Sequence, residues 1–339
     1  NQTSLARNGI IGKWVSASST SFYFEVGGQS PAPVDGMTGW IATTTTSTGD
    51  AYGNTTDAHR TAGVWQYVTY VYDGTQTGNA NRLKIYVNAS PKTINFEGTT
   101  IPATLTSGTT SNLVIGAISS GALNFNGVID EVRISRTTRS AEWIATEYNS
   151  TNAPNLFVSN GTKEAPCGGG GGPITINPCE WSWRKKLTVN KTMVSGSQNS
   201  FPVLVNFSSD SDLASNAQDS GNDIAFTASD TTTKLPHEIE NFTKSNGGLI
   251  AWVNVPNINS SANAEIYLYF GNSTKPSQQN VTGVWDVNYR GVWHLKENPA
   301  GTAPQMKDST SNINHGTSSG NMLAGDQVAG KVDGSLDFD

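Results

Sequence analysis

The stretch Phe125-Asn126-Gly127-Val128-Ile129-Asp130-Glu131-Val132-Arg133-Ile134 decides the fold. Apolar residues recur in it with a period of two, which predicts a β-strand with one buried face. The alternation places Asp130 on the inward face, and it places Glu131 and Arg133 outside as a solvated pair that contributes little. A buried carboxylate is costly when unpaired, so we expect Asp130 to be held by a metal ion, an arginine or several backbone N–H groups.

This stretch is followed by Ser140-Ala141-Glu142-Trp143-Ile144 and then by Tyr148-Asn149, where Ser140 can cap a short helix that has Glu142 in its first turn. The combination resembles the end of a LamG-like, concanavalin A-like jelly roll, as do the earlier W-x-x-V-T-Y-V-Y-D-G and L-K-I-Y-V-N runs. The resemblance implies a twisted two-sheet β-sandwich over residues 1–150. It does not imply an enzyme.

The composition favours a secreted all-β protein. The chain has 339 residues, enough for two domains, with 14% charged residues, 35 Gly and a net charge of −6. Phosphate binding needs a basic footprint, so nucleic acid is not an expected partner. No run approaches the ~20 apolar residues that a membrane span requires.

Residues 151–180 read as a Gly-rich linker. Cys167 and Cys179 flank its glycine run, and in an extracellular chain they predict a disulfide worth about 3 kcal/mol. Two cysteines alone do not make a zinc site. N-x-S/T sequons, many of which this composition produces by chance, offer candidate glycosylation sites at Asn54, Asn88, Asn190, Asn241 and Asn272.

Residues 181–280 predict a second β-sandwich. The succession W-x-W-R-K-K-L-T-V, F-P-V-L-V, L-P-H-E-I-E, A-W-V-N-V-P and I-Y-L-Y-F-G-N resembles domain of unknown function 2341. That family often accompanies LamG-like domains in bacterial and archaeal surface proteins. The resemblance implies the fold and says almost nothing about activity.

Residues 281–339 resemble the opening strands of a LamG-like jelly roll, which the first domain lacks before Ile10. We expect these strands to supply the assembly residues Trp293, Leu295, Leu336 and Phe338. Half a jelly roll exposes unpaired strand edges, so a partner must complete it. Two explanations stay open: the chain is a window of a longer repeating protein, or the tail of one copy completes the head of the next.

Catalytic motifs are absent from the sequence, and we expect no enzyme. The candidate ligands for a structural Ca²⁺ are Asp130 and Asp223, with a backbone-bound carboxylate and a plain Asx-rich turn as the respective alternatives. No other cofactor is expected. The alternation of strand 237–240 assigns His237 to strand packing and turns Glu238 and Glu240 to the opposite face.

The sequence therefore predicts an all-β, non-enzymatic extracellular or cell-surface protein: a concanavalin A-like jelly roll, a second β-sandwich and a partial second jelly roll at the C-terminus. Its expected partners are copies of itself in a head-to-tail filament, stalk or adhesin. The alternative is a carbohydrate-binding module array of a larger secreted polysaccharide-acting protein. In that case sugars would stack on exposed aromatic rings, for which the candidates are Trp14, Trp40, Trp65, Tyr267 and Tyr269.

Overall fold

The computed structural model describes residues 7–14, 22–27, 36–41, 51–59, 61–105, 111–118, 123–167 and 176–339. The first strands are β1 Asn8–Lys13, β2 Phe22–Val26, β3 Met37–Ile41, β4 Ala51–Thr55, β5 Val68–Tyr72, β6 Leu83–Val87, β7 Ser90–Pro91, β8 Ile94–Gly98, β9 Val114–Ile115, β10 Val128–Ile129 and β11 Val132–Ser135. The later strands are β12 Val158–Glu164, β13 Trp183–Val189, β14 Ser197–Phe207, β15 Ala225–Ala228, β16 Lys234–Leu235, β17 His237–Thr243, β18 Gly248–Asn259, β19 Ala264–Phe270, β20 Tyr289–Trp293, β21 Gln327–Ala329 and β22 Gly334–Asp337.

Helices are few and short in these ranges. The α-helices are α1 Asn79–Arg82, α2 Ala141–Asn152, α3 Pro154–Phe157 and α4 Ser211–Asn216. Single 3₁₀ turns occupy Pro178–Glu180, Lys191–Met193, Val281–Gly283 and Ala324–Asp326. Helix α2 begins as the sequence predicts, because the Ser140 hydroxyl accepts a hydrogen bond from the Trp143 N–H. The predicted all-β class is confirmed.

The jelly roll is built from both ends of the chain. One of its sheets has the order β8-β4-β3-β2-β1-β9, and the strands opposite it form three groups, β5-β6-β7, β10-β22-β21 and β11-β20. Strand β11 pairs antiparallel with β20, and β10 pairs antiparallel with β22. Residues 281–339 thus complete the first jelly roll within this chain.

The core of the jelly roll contains side chains from the head, which is strands β1 to β11, and from the tail, which is residues 281–339. All four predicted assembly residues lie in it: Trp293, Leu295 and Leu336 are buried, and Phe338 is half-buried against the same cluster. Gly116 has φ +79° and lies so close to the Phe338 ring that a Cβ would collide with it. The fit between head and tail is therefore specific in shape.

The second sandwich has a five-stranded sheet, β12-β13-β19-β15-β16, facing a three-stranded sheet, β14-β18-β17. The predicted faces are observed: alternate residues of β14, β18 and β19, such as Val203, Val253 and Leu268, are fully buried in one core. Trp143 from α2 and Phe157 from α3 join this core. The sandwich therefore begins well before Trp181.

The assignment of residues 151–180 as a linker is corrected by this arrangement. Residues 154–157 form α3, and β12 pairs with β13 as an edge strand. The sequence did not predict β12, because an edge strand buries little of its surface and its residues after Val158 are all polar or Gly. The predicted disulfide joins Cys167 and Cys179, and the glycine run from Gly168 to Gly172 lies outside the described residues.

Replacing the tail leucine Leu336 by Ala should lower the free energy of unfolding by about 2–5 kcal/mol, because its side chain fills the shared core. The matched control is Leu323→Ala, a tail leucine that is 66% exposed, which should stay within about 0.5 kcal/mol of the wild type. Urea unfolding followed by tryptophan fluorescence measures both. Equal effects at the two positions would contradict the shared core.

Candidate functional site at the domain junction

A break in the predicted strand creates the site. Glu131 has φ +53°, in the left-handed region, and it separates β10 from β11. The break shifts the alternation, so that Ile129 and Val132 both pack in the jelly-roll core. Glu131 and Arg133 consequently face the second sandwich. Their assignment as a solvated pair is wrong, since both side chains are about nine-tenths buried.

The second sandwich contributes the outer face of its three-stranded sheet. Alternation along β17 turns Glu238 and Glu240 to this face, while His237 packs on the other side with its ring 5.1 Å from that of Phe226. This is the arrangement predicted from the sequence. Burial lowers the pKa of His237 to about 4, so the ring is neutral in the core.

His294 lies at the centre of the junction and is 3% exposed. Its Nδ1 lies 2.6 Å from Glu131 Oε1 and 3.4 Å from Glu240 Oε2, while its Nε2 lies 3.4 Å from Glu238 Oε2. Three carboxylates from two domains thus surround one imidazole.

Arg133 extends this arrangement toward α2. Its guanidinium donates to Glu131 Oε2 at 2.6 Å and to Glu147 Oε1 at 2.7 Å. The guanidinium carbon also lies 4.3 Å from the Trp252 ring centroid, a cation–π distance. One arginine therefore ties the jelly-roll strand, the helix and the second sandwich together.

Neutral donors contact both glutamates of β17. The Trp285 indole donates to Glu238 Oε2 at 3.0 Å and the Ser309 hydroxyl donates to Glu238 Oε1 at 2.7 Å. The Trp252 indole donates to Glu240 Oε2 at 2.8 Å. Among the described residues, no hydrogen-bond partner reaches Glu240 Oε1.

The electrostatics divide the carboxylates into two kinds. Burial would raise the pKa of Glu131, but His294 and Arg133 outweigh it and lower that pKa to about 2. Burial, opposed by His294 and reinforced by Glu131, raises the pKa of Glu240 to about 8. Burial would lower the pKa of His294, but Glu131, Glu240 and Glu238 together raise it well above its usual value. The imidazole is therefore held as a cation, and Glu240 is the carboxylate that retains a proton.

The two predicted calcium ligands are held by backbone N–H groups. Asp223 is fully buried, and its oxygens accept from the N–H groups of Gln218, Gly271 and Asn272 at 2.7–2.9 Å. A cation there would face donors, so calcium at Asp223 stays a prediction that this geometry does not favour. Asp130 Oδ2 accepts from the Val332 N–H at 2.8 Å, in line with the predicted backbone partner. Its predicted inward position is wrong, because Ile129 packs in the jelly-roll core and Asp130 lies on the opposite face.

Asp130 differs from Asp223 in having one oxygen without a partner among the described residues, Oδ1. Burial and the neighbouring Glu131 raise the pKa of Asp130 to about 8, opposed by the Val332 N–H. The group is thus neutral near pH 7, which a calcium ligand is not. Calcium at Asp130 remains a prediction that this geometry does not favour.

The five candidate glycosylation sites differ in accessibility. Asn54 is 1% exposed and its Oδ1 accepts from the Thr38 hydroxyl, so a glycan has no access to it in this fold. Asn88 and Asn241 are exposed, and Asn190 and Asn272 are half-buried. Glycosylation at these four stays a prediction.

The aromatic candidates for sugar stacking are largely occupied by one another. Trp40 packs face to face with Tyr23 at 5.2 Å on one side and with Tyr52 at 4.2 Å on the other, across three neighbouring strands. Trp14 extends the row through an edge contact with Tyr23. Tyr269 is fully buried and donates to the Thr231 carbonyl.

Two further candidates lie beside arginine or a cavity. Tyr267 is half-buried, with the Arg184 guanidinium 4.7 Å from its ring centroid. Trp65 lines a cavity of about 1040 Å³ between β5 and the β10–β11 segment. Glu131, Arg133 and Glu147 line one end of this cavity, where they are already paired with one another.

The fold and its junction define a two-module all-β protein in which a jelly roll and a second sandwich share a buried polar interface. Residues 2–145 match the family model of the concanavalin A-like lectin/glucanases superfamily, and residues 220–291 match that of domain of unknown function DUF2341. Both resemblances drawn from the sequence are confirmed, in the predicted order. Comparison with curated proteins finds no match, and comparison with solved structures finds none either.

None of the helices in the described residues is long and apolar enough to cross a bilayer.

Replacing Arg133 by Met should lower the free energy of unfolding by about 3–5 kcal/mol, because Glu147 would stay buried without its cation and Glu131 would keep only His294. The matched control is Lys186→Met, which breaks a pair whose side chains are 47% and 42% exposed and should cost about 0–1 kcal/mol. Chemical denaturation at pH 7 measures both. An effect at Arg133 as small as that at Lys186 would contradict the buried role of the Glu131–Arg133 pair.

Proposed function

We propose that this chain is a non-enzymatic structural module of an extracellular or cell-surface array, whose copies join head to tail by completing one another's jelly rolls. The observation that carries the proposal is the shared sheet and core formed by β10 and β11 from the head with β20 and β22 from the tail. The same contacts form whether head and tail belong to one copy or to two, because only the connecting segment changes.

The connection suited to exchange is residues 136–140, between β11 and α2. Most of this segment is exposed. It is held by the Arg139–Asp286 ion pair at 3.0 Å and by the Arg136 N–H, which donates to the Asn288 carbonyl. Five residues span up to about 17 Å when extended. Opening this short segment would free the head of one copy for the tail of the next.

The tail and α2 would stay with the second sandwich during such an exchange. Trp143 of α2 lies 4.8 Å from Phe201 between ring centroids, inside the sandwich core. The tail is bound by Ser309 to Glu238 and by Val292 packing in one cluster with Trp252. Each copy would therefore present a rigid block that carries a finished tail.

A structural role also fits the chemistry of the junction. His294 is 3% exposed between the two domains, and the rings of Trp252 and Trp285 lie 6.2 and 6.0 Å from its ring between centroids. Such burial of the imidazole supports a structural role. The disulfide supports an oxidising, extracellular compartment.

Cysteine cross-linking distinguishes exchange from closure. Val128 of β10 lies opposite Asp337 of β22 in the antiparallel ladder. Two single variants, Val128→Cys and Asp337→Cys, should form a mixed covalent dimer when they are combined, concentrated and oxidised. The double variant should give a ladder of multiples on a non-reducing gel, and electron microscopy of the wild type should show linear particles.

Val71→Cys mixed with Lys84→Cys is the matched control, because these partners of the β5–β6 hairpin stay in one chain in either arrangement. The control should give no mixed dimer. Exchange between copies is refuted if the mixture of Val128→Cys and Asp337→Cys also gives no mixed dimer and the double variant forms only internally cross-linked monomers.

Glycan binding is the second candidate, because the matched superfamily includes lectins by its own description. The aromatic row of Trp14, Tyr23, Trp40 and Tyr52 lies on the outer face of the six-stranded sheet, but the faces of Trp40 are already covered. We therefore expect no saturable glycan binding that depends on this row.

A glycan array with the wild type, Trp14→Ala and Trp40→Ala measures this directly. Saturable binding that disappears in a folded tryptophan variant would favour the carbohydrate-binding role over a purely structural one. Circular dichroism establishes that each variant is folded.

A further inference from the structure

The junction brings three metal-ligating side chains together from both domains. One ligand atom each from Glu131, Glu240 and His294 lies within 4.8 Å of the other two. Glu131 and His294 come from the completed jelly roll, and Glu240 comes from the second sandwich. The cluster therefore forms only when the two domains are docked.

The buried charges around this cluster do not balance. Four carboxylates, those of Glu131, Glu147, Glu238 and Glu240, face Arg133 and His294. Lys296 lies at the edge, where it donates to the backbone carbonyl of Glu240 and lies 3.9 Å from Asp333. Buried carboxylates in excess of cations require protons or another cation.

One of the three ligands carries a buried oxygen that lacks a hydrogen-bond partner. Glu240 is 6% exposed, and its Oε1 has no hydrogen-bond partner among the described residues. Its other oxygen already accepts from the Trp252 indole, just as Glu131 Oε2 accepts from Arg133. These donors would orient the two carboxylates from behind, as outer partners of metal ligands do.

We propose that Glu131, Glu240 and His294 bind one divalent transition-metal ion, such as Zn²⁺, which fastens the jelly roll to the second sandwich. An imidazole nitrogen with two carboxylates favours such an ion over Ca²⁺, which takes oxygen ligands only. With three protein ligands, a tetrahedral ion keeps one position for water.

The observed separations require a small adjustment. Ligand atoms about 2.0–2.2 Å from a tetrahedral ion lie about 3.3 Å apart. His294 Nδ1 and Glu131 Oε1 are 2.6 Å apart and must separate. The Glu240 carboxylate has Oε2 3.4 Å from Nδ1 and must turn to present its unpartnered Oε1 instead. The ion would replace the proton on Nδ1 and the proton that Glu240 retains, and both leave to solvent, so binding must weaken as the pH falls.

The experiment uses the untagged 339-residue chain with its disulfide intact. The chain is unfolded in denaturant that contains a chelator, the chelator is removed, and the chain is refolded with one equivalent of Zn²⁺ or Co²⁺. Refolding gives the ion access to a buried site. We expect one ion per chain by elemental analysis, visible absorption bands of tetrahedral Co²⁺, and a higher melting temperature with the ion than without it.

Glu240→Gln and His294→Gln should each weaken binding by more than about 100-fold, because loss of an outer partner alone costs about 10–100-fold. His59→Gln, on the head and away from the junction, is the matched control and should bind like the wild type. The cobalt spectrum of the wild type tests the site even where a variant does not refold. Absence of metal after refolding, or binding that survives both junction variants, overturns the proposal.

Discussion

A jelly roll whose strands come from the two ends of a chain must be closed before it can hide its apolar face. Strands β10 and β11 have no other route to satisfying their backbone groups within the described sheets than pairing with β22 and β20. Because Trp293 and Leu336 fill the same core, closure also supplies much of its buried area. The rest of the architecture follows from this closure, since it brings the second sandwich against the jelly roll.

The charged junction imposes a different kind of order. Apolar contacts such as Leu204 and Trp252 with Val292 tolerate sliding, because dispersion and burial have little directional preference. The two hydrogen bonds of the Arg133 guanidinium and those of the indole donors do not tolerate sliding, since each requires a particular distance and angle. Removing such charges from water is costly, so their value lies in fixing one docking arrangement more than in raw stability.

Much of the fold could be predicted from the sequence, because strand periodicity depends on local residues alone. The faces of β14, β18 and β19 and the cap at Ser140 were predictable for this reason. The edge strand β12 was not, because it buries too little for its pattern to show. The phase shift at Glu131 was hidden as well, since a left-handed glutamate leaves no signal in the order of residues.

The candidate site was only partly visible for a related reason. Alternation correctly turned Glu238 and Glu240 away from His237, but it could not show that another domain covers them. The role of His294 depends on contacts with a segment over a hundred residues away, including Glu131. Long-range pairing of this kind is decided by the tertiary fold, and a single sequence does not encode it as a local pattern.

Strand β20 explains why the head–tail strand pairing and the domain junction cannot be separated. Its alternation sends Trp293 into the jelly-roll core and Val292 into the cluster shared with the second sandwich, and His294 continues the latter side. A strand buried on both faces reads as continuously apolar, as Val292-Trp293-His294-Leu295 nearly does. The single polar residue of this four-residue stretch, His294, is the one that contacts three carboxylates. Any event that withdraws this strand from the jelly roll must therefore also break the charged contacts that orient the two domains.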